Sequence, residues 1–144
     1  MLPQEIEKIV KEEIQDEIYK SLIALHNWRT KFNGAKIGYG YDQYRKDKKY
    51  DYPEAYAFWG NGYLNIYRAT QNNEYLNLAM ECSNWLLNNR SSQYKYYSWG
   101  LPWEWNRRPK ETSYITTSVF VGNFLLNMFE ETSVKEYLNV SESI

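Results

Sequence analysis

Apolar side chains recur every fourth residue at Ile6, Val10, Ile14, Ile18 and Leu22, and Ile9 and Leu25 widen the stripe. That spacing predicts a long helix over about residues 3–31 that buries one face. Pro3 suits its first turn, where a missing N–H has no intrahelical partner, and Glu5, Glu7, Glu12 and Glu13 lie toward the positive end of its dipole. The pattern then breaks over 33–53, where Asn33-Gly34, Gly38 and Gly40 punctuate a stretch crowded with Tyr39, Tyr41, Tyr44, Tyr50 and Tyr52. Within it, Arg45-Lys46-Asp47-Lys48-Lys49 reads as a solvated loop.

Helical periodicity returns at Pro53. A second helix over 53–70 places apolar groups at Ala57, Phe58, Leu64 and Tyr67. A third over 73–89 turns Tyr75, Leu76, Leu78, Ala79, Cys82, Trp85 and Leu86 inward. The connection Gln71-Asn72-Asn73 is so short that these two helices must lie antiparallel as a hairpin. A second aromatic loop spans 90–111, with Tyr94, Tyr96, Tyr97, Trp99, Trp103 and Trp105, and Pro102 and Pro109 break it. A fourth helix follows over 112–131 with Val119, Phe120, Leu125, Leu126 and Phe129, then a turn at Thr132-Ser133 and a fifth helix from about Val134.

The chain repeats itself at an offset of 62 residues. Gly60-Asn61 corresponds to Gly122-Asn123, Leu64-Asn65 to Leu126-Asn127, Thr70 to Thr132, and Glu74-Tyr75-Leu76-Asn77 to Glu136-Tyr137-Leu138-Asn139. From Gly60 to Leu78 against Gly122 to Val140, 9 of 19 positions are identical. The repeated unit is helix, tight turn, helix, long aromatic loop. One helical hairpin cannot bury its own apolar faces, so such units stack. The expectation is an all-α fold, an array of helical hairpins with long aromatic loops, forming one domain over 1–144. Its parts are an N-terminal helix over 1–32, a first hairpin over 53–90 and a second, shortened hairpin over 112–144.

Composition narrows the functional classes. Lys+Arg is 17 and Asp+Glu is 18, a net charge of -1, which lacks the basic excess of a nucleic-acid binder. Mean hydropathy is -0.76, no apolar run reaches the length of a membrane span, and no signal peptide is visible, so a cytoplasmic protein is expected. His26 is the only histidine, which leaves no histidine cluster for zinc, and Cys82 is the only cysteine, which excludes an internal disulfide. His26 reads as packing at the end of the first helix and Cys82 as a buried structural thiol. No metal and no cofactor is expected, because no phosphate-cradling or metal-binding motif occurs. Aromatic residues make up 18% of the chain, with 15 tyrosines and 6 tryptophans.

The run Tyr63-Leu64-Asn65-Ile66-Tyr67-Arg68-Ala69-Thr70-Gln71-Asn72-Asn73-Glu74-Tyr75-Leu76 resembles the linker between outer and inner helices of (α/α)6-toroid proteins, and in particular the six-hairpin glycosidase-like group. Ser98-Trp99-Gly100-Leu101-Pro102-Trp103-Glu104-Trp105, with Thr112-Ser113 through Leu125-Leu126, is similar to members of that group tied to polysaccharide biosynthesis. The resemblance implies a partial (α/α) toroid with two to three of the six hairpins, and a carbohydrate ligand, with hydrolase, lyase or epimerase ancestry.

The residues themselves offer matching chemistry. Flat indole faces stack on the apolar C–H faces of pyranose rings, and neighbouring carboxylates and guanidinium groups bond the hydroxyls. Trp59, Tyr97, Trp99, Trp103, Trp105 and Arg107 are the candidate substrate-binding residues. Glu104, between two tryptophans, is the candidate general acid, with Asp42 as its partner and Asp51 and Glu54 as alternatives, since glycoside cleavage usually needs two carboxylates across one bond. If both aromatic loops open on one end of the hairpin array, they meet there. The competing expectation is a non-catalytic chain that self-assembles, or pairs with a partner completing the toroid, through exposed apolar helix faces. A sugar polymer or a second copy are thus the expected partners, and neither nucleic acid nor membrane is.

Overall fold

In this computed structural model, residues 3–44 and 46–144 are described, with side chains from Asp16 onward except Arg45. The expected inward residues Ile6, Ile9, Val10 and Ile14, the early glutamates and Arg45 of the charged run therefore lie outside the described side chains. Among the described residues the protein is all-α apart from one small ribbon. Its elements are α1 (Pro3–Asn33), β1 (Tyr39–Gly40), β2 (Tyr50–Asp51), α2 (Pro53–Thr70), α3 (Asn73–Asn88), α4 (Ile115–Thr132) and α5 (Lys135–Glu142). They fall into two compact units, Met1–Ala35 and Lys36–Ile144.

The first unit is α1. Gly34 ends it in a left-handed conformation with φ 60° and donates its N–H to Thr30 O at 3.0 Å, a glycine C-cap. The Arg29 guanidinium folds back to Gly34 O and Thr30 Oγ1. The described part of the expected stripe is not buried: Ile18 is 55% and Leu25 48% exposed. A regular stripe shows that a helix has an apolar side, and says nothing of what covers that side.

In the second unit the repeat is reproduced bond by bond. Gln71 and Ser133, 62 positions apart, both adopt left-handed φ, 57° and 58°, and donate N–H to Tyr67 O and Phe129 O. Thr70 and Thr132 each return a hydroxyl to the carbonyl four residues back, Ile66 O and Met128 O. Those hydroxyls then accept from Asn72 N and Val134 N. The hairpin turns are the same object made twice. They differ at the N-cap, where Asn72 Oδ1 accepts from Glu74 N at 3.0 Å and Val134 has no side-chain acceptor to offer.

The two hairpins pack through α2 and α4. Gly60 sits under the Phe124 ring so closely that a Cβ there would lie 2.3 Å from Cζ. Polar rungs run along the same seam: Thr117 Oγ1 to Glu54 Oε1, Asn127 Nδ2 to Asn61 Oδ1 and Arg68 Nε to Glu131 Oε2, at 2.8, 2.8 and 2.7 Å. Leu64, Ala79, Cys82, Leu86, Val121, Phe124, Leu125 and Met128 are fully buried and form the core. Cys82 is thus the buried thiol that its place on α3 suggested. Ser83 Oγ and Tyr137 Oη share a buried hydrogen bond at 2.9 Å that joins α3 to α5.

Two departures from the expected elements have local causes. α4 starts at Ile115 and not at 112, because the residues before it pair with the loop: Ser113 bridges Gly100, and Tyr114 N–H donates to Trp99 O. Phe58, Val119, Phe120 and Leu126 are exposed, and Tyr56, Tyr63, Val121 and Met128 are buried in their stead.

Gly60→Ala should destabilise the fold by about 1–3 kcal/mol, because overpacking against Phe124 outweighs the gain in helix propensity. Gly62→Ala, whose Cβ meets nothing within 4 Å, should stabilise it by up to about 1 kcal/mol. Urea titration of both variants measures the contrast.

Candidate functional site

The two aromatic loops do meet at one end of the hairpins. In the first, β1 and β2 form an antiparallel ribbon with Tyr39 opposite Asp51 and Gly40 opposite Tyr50. Gly38 precedes it because the Tyr56 ring occupies the space a Cβ would take. Tyr56 in turn lies flat on Trp85 of α3, ring centroids 3.9 Å apart at 6°.

The second loop is pinned by Trp99, which is fully buried. Its indole Nε1–H donates to Leu86 O at the end of α3, and its backbone N–H donates to Ser118 Oγ on α4. From Gly100 the chain bends at Pro102-Trp103, and alternate residues serve different cavities. Gly100 and Pro102 line one cavity, and Leu101, Trp103 and Trp105 line another. This stretch is a partition with a cavity on each side.

The larger cavity, about 370 Å³, is polar. Asp51 and Glu111 supply carboxylates, Asn88 and Asn89 amides, Arg90 a guanidinium and Trp85 an indole. Asp51 is held from two directions: Tyr56 Oη–H donates to Oδ1 at 2.9 Å and Lys36 Nζ to Oδ2 at 3.2 Å. Arg90 is positioned over the Tyr97 ring, 4.5 Å from its centroid. Glu111 adopts φ 63°, a conformation unfavourable for a residue with a Cβ. Its N–H bonded to Leu101 O and its O accepting from Ser91 Oγ, both at 2.7 Å, hold it there.

The smaller cavity, about 230 Å³, is aromatic, lined by Asp42, Tyr44, Leu101, Trp103 and Trp105. Tyr44 leans on Trp105 at 5.4 Å, and Trp103 packs against Tyr50 and Tyr52 at 4.9 and 5.3 Å. Trp103 Nε1 and Tyr52 Oη in this cluster are buried and have no acceptor among the described residues. Burial foremost, then the neighbouring Asp42 carboxylate, drives the Tyr52 phenol pKa upward, so Tyr52 stays a donor.

The sequence-derived candidates are placed unequally. Asp42, Trp103 and Trp105 converge on the smaller cavity. Trp99 is a buried anchor. Tyr97 is half-buried behind Arg90, and Trp59 stays on α2, its ring 5.7 Å from that of Tyr63. Glu104 is exposed and lines neither cavity. Arg107 is exposed at the tip of a two-residue turn, with Asn106 and Arg107 at φ 49° and 64° and Trp105 and Arg108 exchanging backbone hydrogen bonds. Glu54 is spent on Thr117. Sequence reasoning missed Trp85, Asn88, Asn89, Arg90 and Glu111. Their one signal is the polar run Asn88-Asn89-Arg90 where α3 gives way to the aromatic loop.

Among the described residues no group of three or more His, Cys, Asp or Glu could hold a metal ion, and no helix is long and apolar enough to cross a membrane. Comparison with family models, with curated proteins and with solved structures gives no match to this chain.

The Tyr56 phenol pKa is raised by burial and then by its bond to Asp51. The unfolded chain therefore loses tyrosine protons first, and stability should fall as pH rises above about 10. Tyr56→Phe should be less stable at pH 8 yet show a shallower decline above pH 10, which urea titrations across that range measure.

Proposed function

We propose that this chain is a carbohydrate-binding protein, built as a partial (α/α) toroid, that holds a sugar or polysaccharide across the Gly100–Trp105 partition. The observation that carries the proposal is the pairing of a polar cavity that includes an indole with an aromatic one, both lined by alternate residues of one short segment. Pyranose rings present two surfaces, apolar C–H faces and a polar rim, and each finds its complement here. Trp105, with 39% of its surface exposed, and Tyr44 offer stacking planes. Arg90, Asn88 and Asn89 donate on the other side, and Glu111 accepts.

Binding is favoured over turnover by the condition of Asp51. Both of its oxygens already accept hydrogen bonds, from Tyr56 and Lys36, which suits a fixed acceptor and not a group that cycles a proton. The left-handed Glu111 adds support, because backbone strain of this kind, worth about 1–3 kcal/mol, collects where a ligand group must be held in place.

A panel of neutral and acidic oligosaccharides should quench tryptophan fluorescence, and Trp105→Ala should weaken the best ligand by at least about tenfold, or 1.4 kcal/mol. Glu111→Gly should raise stability by about 1 kcal/mol while weakening the same ligand. Absence of quenching by every sugar in the panel, or undiminished affinity in both variants, overturns the proposal.

A further inference from the structure

The near-neutral balance of the chain conceals a partition of charge. Residues 36–50 hold five Lys or Arg and two Asp, and residues 90–111 hold five Lys or Arg and two Glu. Of 17 basic and 18 acidic residues, that leaves seven basic and fourteen acidic elsewhere, so the two aromatic loops carry +6 and the remainder -7. The loops meet through Tyr44 on Trp105 and Tyr50 on Trp103, so one end of the hairpins is both cationic and aromatic. A field of one sign at a binding end selects ligands of the other sign, whatever the net charge.

The cations of the first loop are interleaved with rings. Lys36 Nζ and Lys49 Nζ both lie over Tyr39, 4.4 and 5.8 Å from its centroid. Lys49 Nζ also lies 5.5 Å from the Tyr41 centroid, and Lys48 Nζ 4.9 Å from that of Tyr50. Two ammonium groups gathered at one ring repel each other, and a bound anion relieves that repulsion. Exposed cation–ring contacts are weak, so an ammonium group can move to an anion and leave its ring free to stack. The cluster borders both cavities: Tyr50 packs on Trp103 of the smaller one, and Lys36 bonds Asp51 of the larger one. From the second loop, Arg90 lines the larger cavity, and the exposed Arg107 and Arg108 follow Trp105 of the smaller one. Tyr41, Tyr44 and Tyr96 are 62, 67 and 65% exposed and add open ring faces.

We propose that the ligand of these loops is an acidic polysaccharide, a uronate polymer whose carboxylates pair with the loop cations while its rings stack on the exposed aromatic faces. This rests on the sugar-binding proposal and names its substrate class. A single-stranded nucleic acid also combines negative charge with stacking faces. The cavities favour the uronate, because Asp42 lines one and Asp51 and Glu111 the other. Those carboxylates repel phosphate, and a phosphodiester has no hydrogen to donate to them. A uronate ring carries hydroxyl donors beside its own carboxylate, so one residue can satisfy both Glu111 and Arg90.

The test is a tryptophan-fluorescence titration with galacturonate, mannuronate and hyaluronate oligosaccharides, each beside its carboxyl-reduced neutral counterpart, and with oligothymidylate. At low salt at least one uronate should bind about tenfold more tightly than its reduced form. The advantage should vanish at about 1 M salt, where exposed charges are screened within about 3 Å. Lys48→Gln combined with Lys49→Gln should cost the uronate about tenfold and leave the neutral form unaffected, with an unchanged circular dichroism spectrum. Lys135→Gln, an exposed lysine of α5, should change neither. Equal, salt-independent affinity for acidic and reduced sugars, or a double variant that keeps the full preference, overturns the acidic assignment and leaves sugar binding standing. Tighter binding of oligothymidylate overturns it in favour of nucleic acid. Silence toward every sugar, acidic and neutral, overturns both proposals.

Discussion

The burial of Trp99 is the constraint on which the rest of the second unit depends. The residue lies in a loop, yet it is as buried as the core of the hairpins. Its indole N–H shares the Leu86 carbonyl with the Asn89 N–H that closes the last turn of α3, and its backbone N–H takes the Ser118 hydroxyl. One residue thus ties the loop to two helices of different hairpins. Gly100 follows it by necessity. Its backbone crosses so close to Thr112 that a Cβ would lie 1.9 Å from the carbonyl oxygen. Tyr114 N–H then returns to Trp99 O, and α4 can begin only once that pairing is complete.

Much of this fold is legible in the sequence because the turns are chemically marked. The identical Thr70 and Thr132, with Gln71 and Ser133 after them, make the same hydrogen bonds in the same order, so a repeat in letters is a repeat in atoms. Helix faces are less legible. Periodicity gives the existence of an apolar side, but both Val119 and Val121 satisfy some apolar stripe on α4, and only the close approach of Phe124 to Gly60 decides which one turns inward. The ribbon at Tyr39–Gly40 and Tyr50–Asp51 leaves no trace at all, since strands of two residues are too short to alternate.

The candidate site divides along the same line. Asp42, Trp103 and Trp105 could be found because aromatic density marks a loop whose side chains must pack on something. Glu104 stood out for its neighbours in sequence, yet Trp103 and Trp105 line the smaller cavity while Glu104 is exposed and lines neither. Asp51 and Glu111 are 60 positions apart and reach one cavity only because the ribbon and the end of the second loop both abut α3. No local pattern encodes that meeting. Glu111 carries one further trait invisible in sequence, a backbone conformation held by two neighbours' hydrogen bonds.

The partition between the cavities has a consequence for how such a chain can change over time. Different residues of one short stretch serve its two sides. Substituting Leu101 or Trp103 alters one chamber and leaves Gly100 and Pro102 facing the other. Drift by substitution can therefore tune the two sides separately.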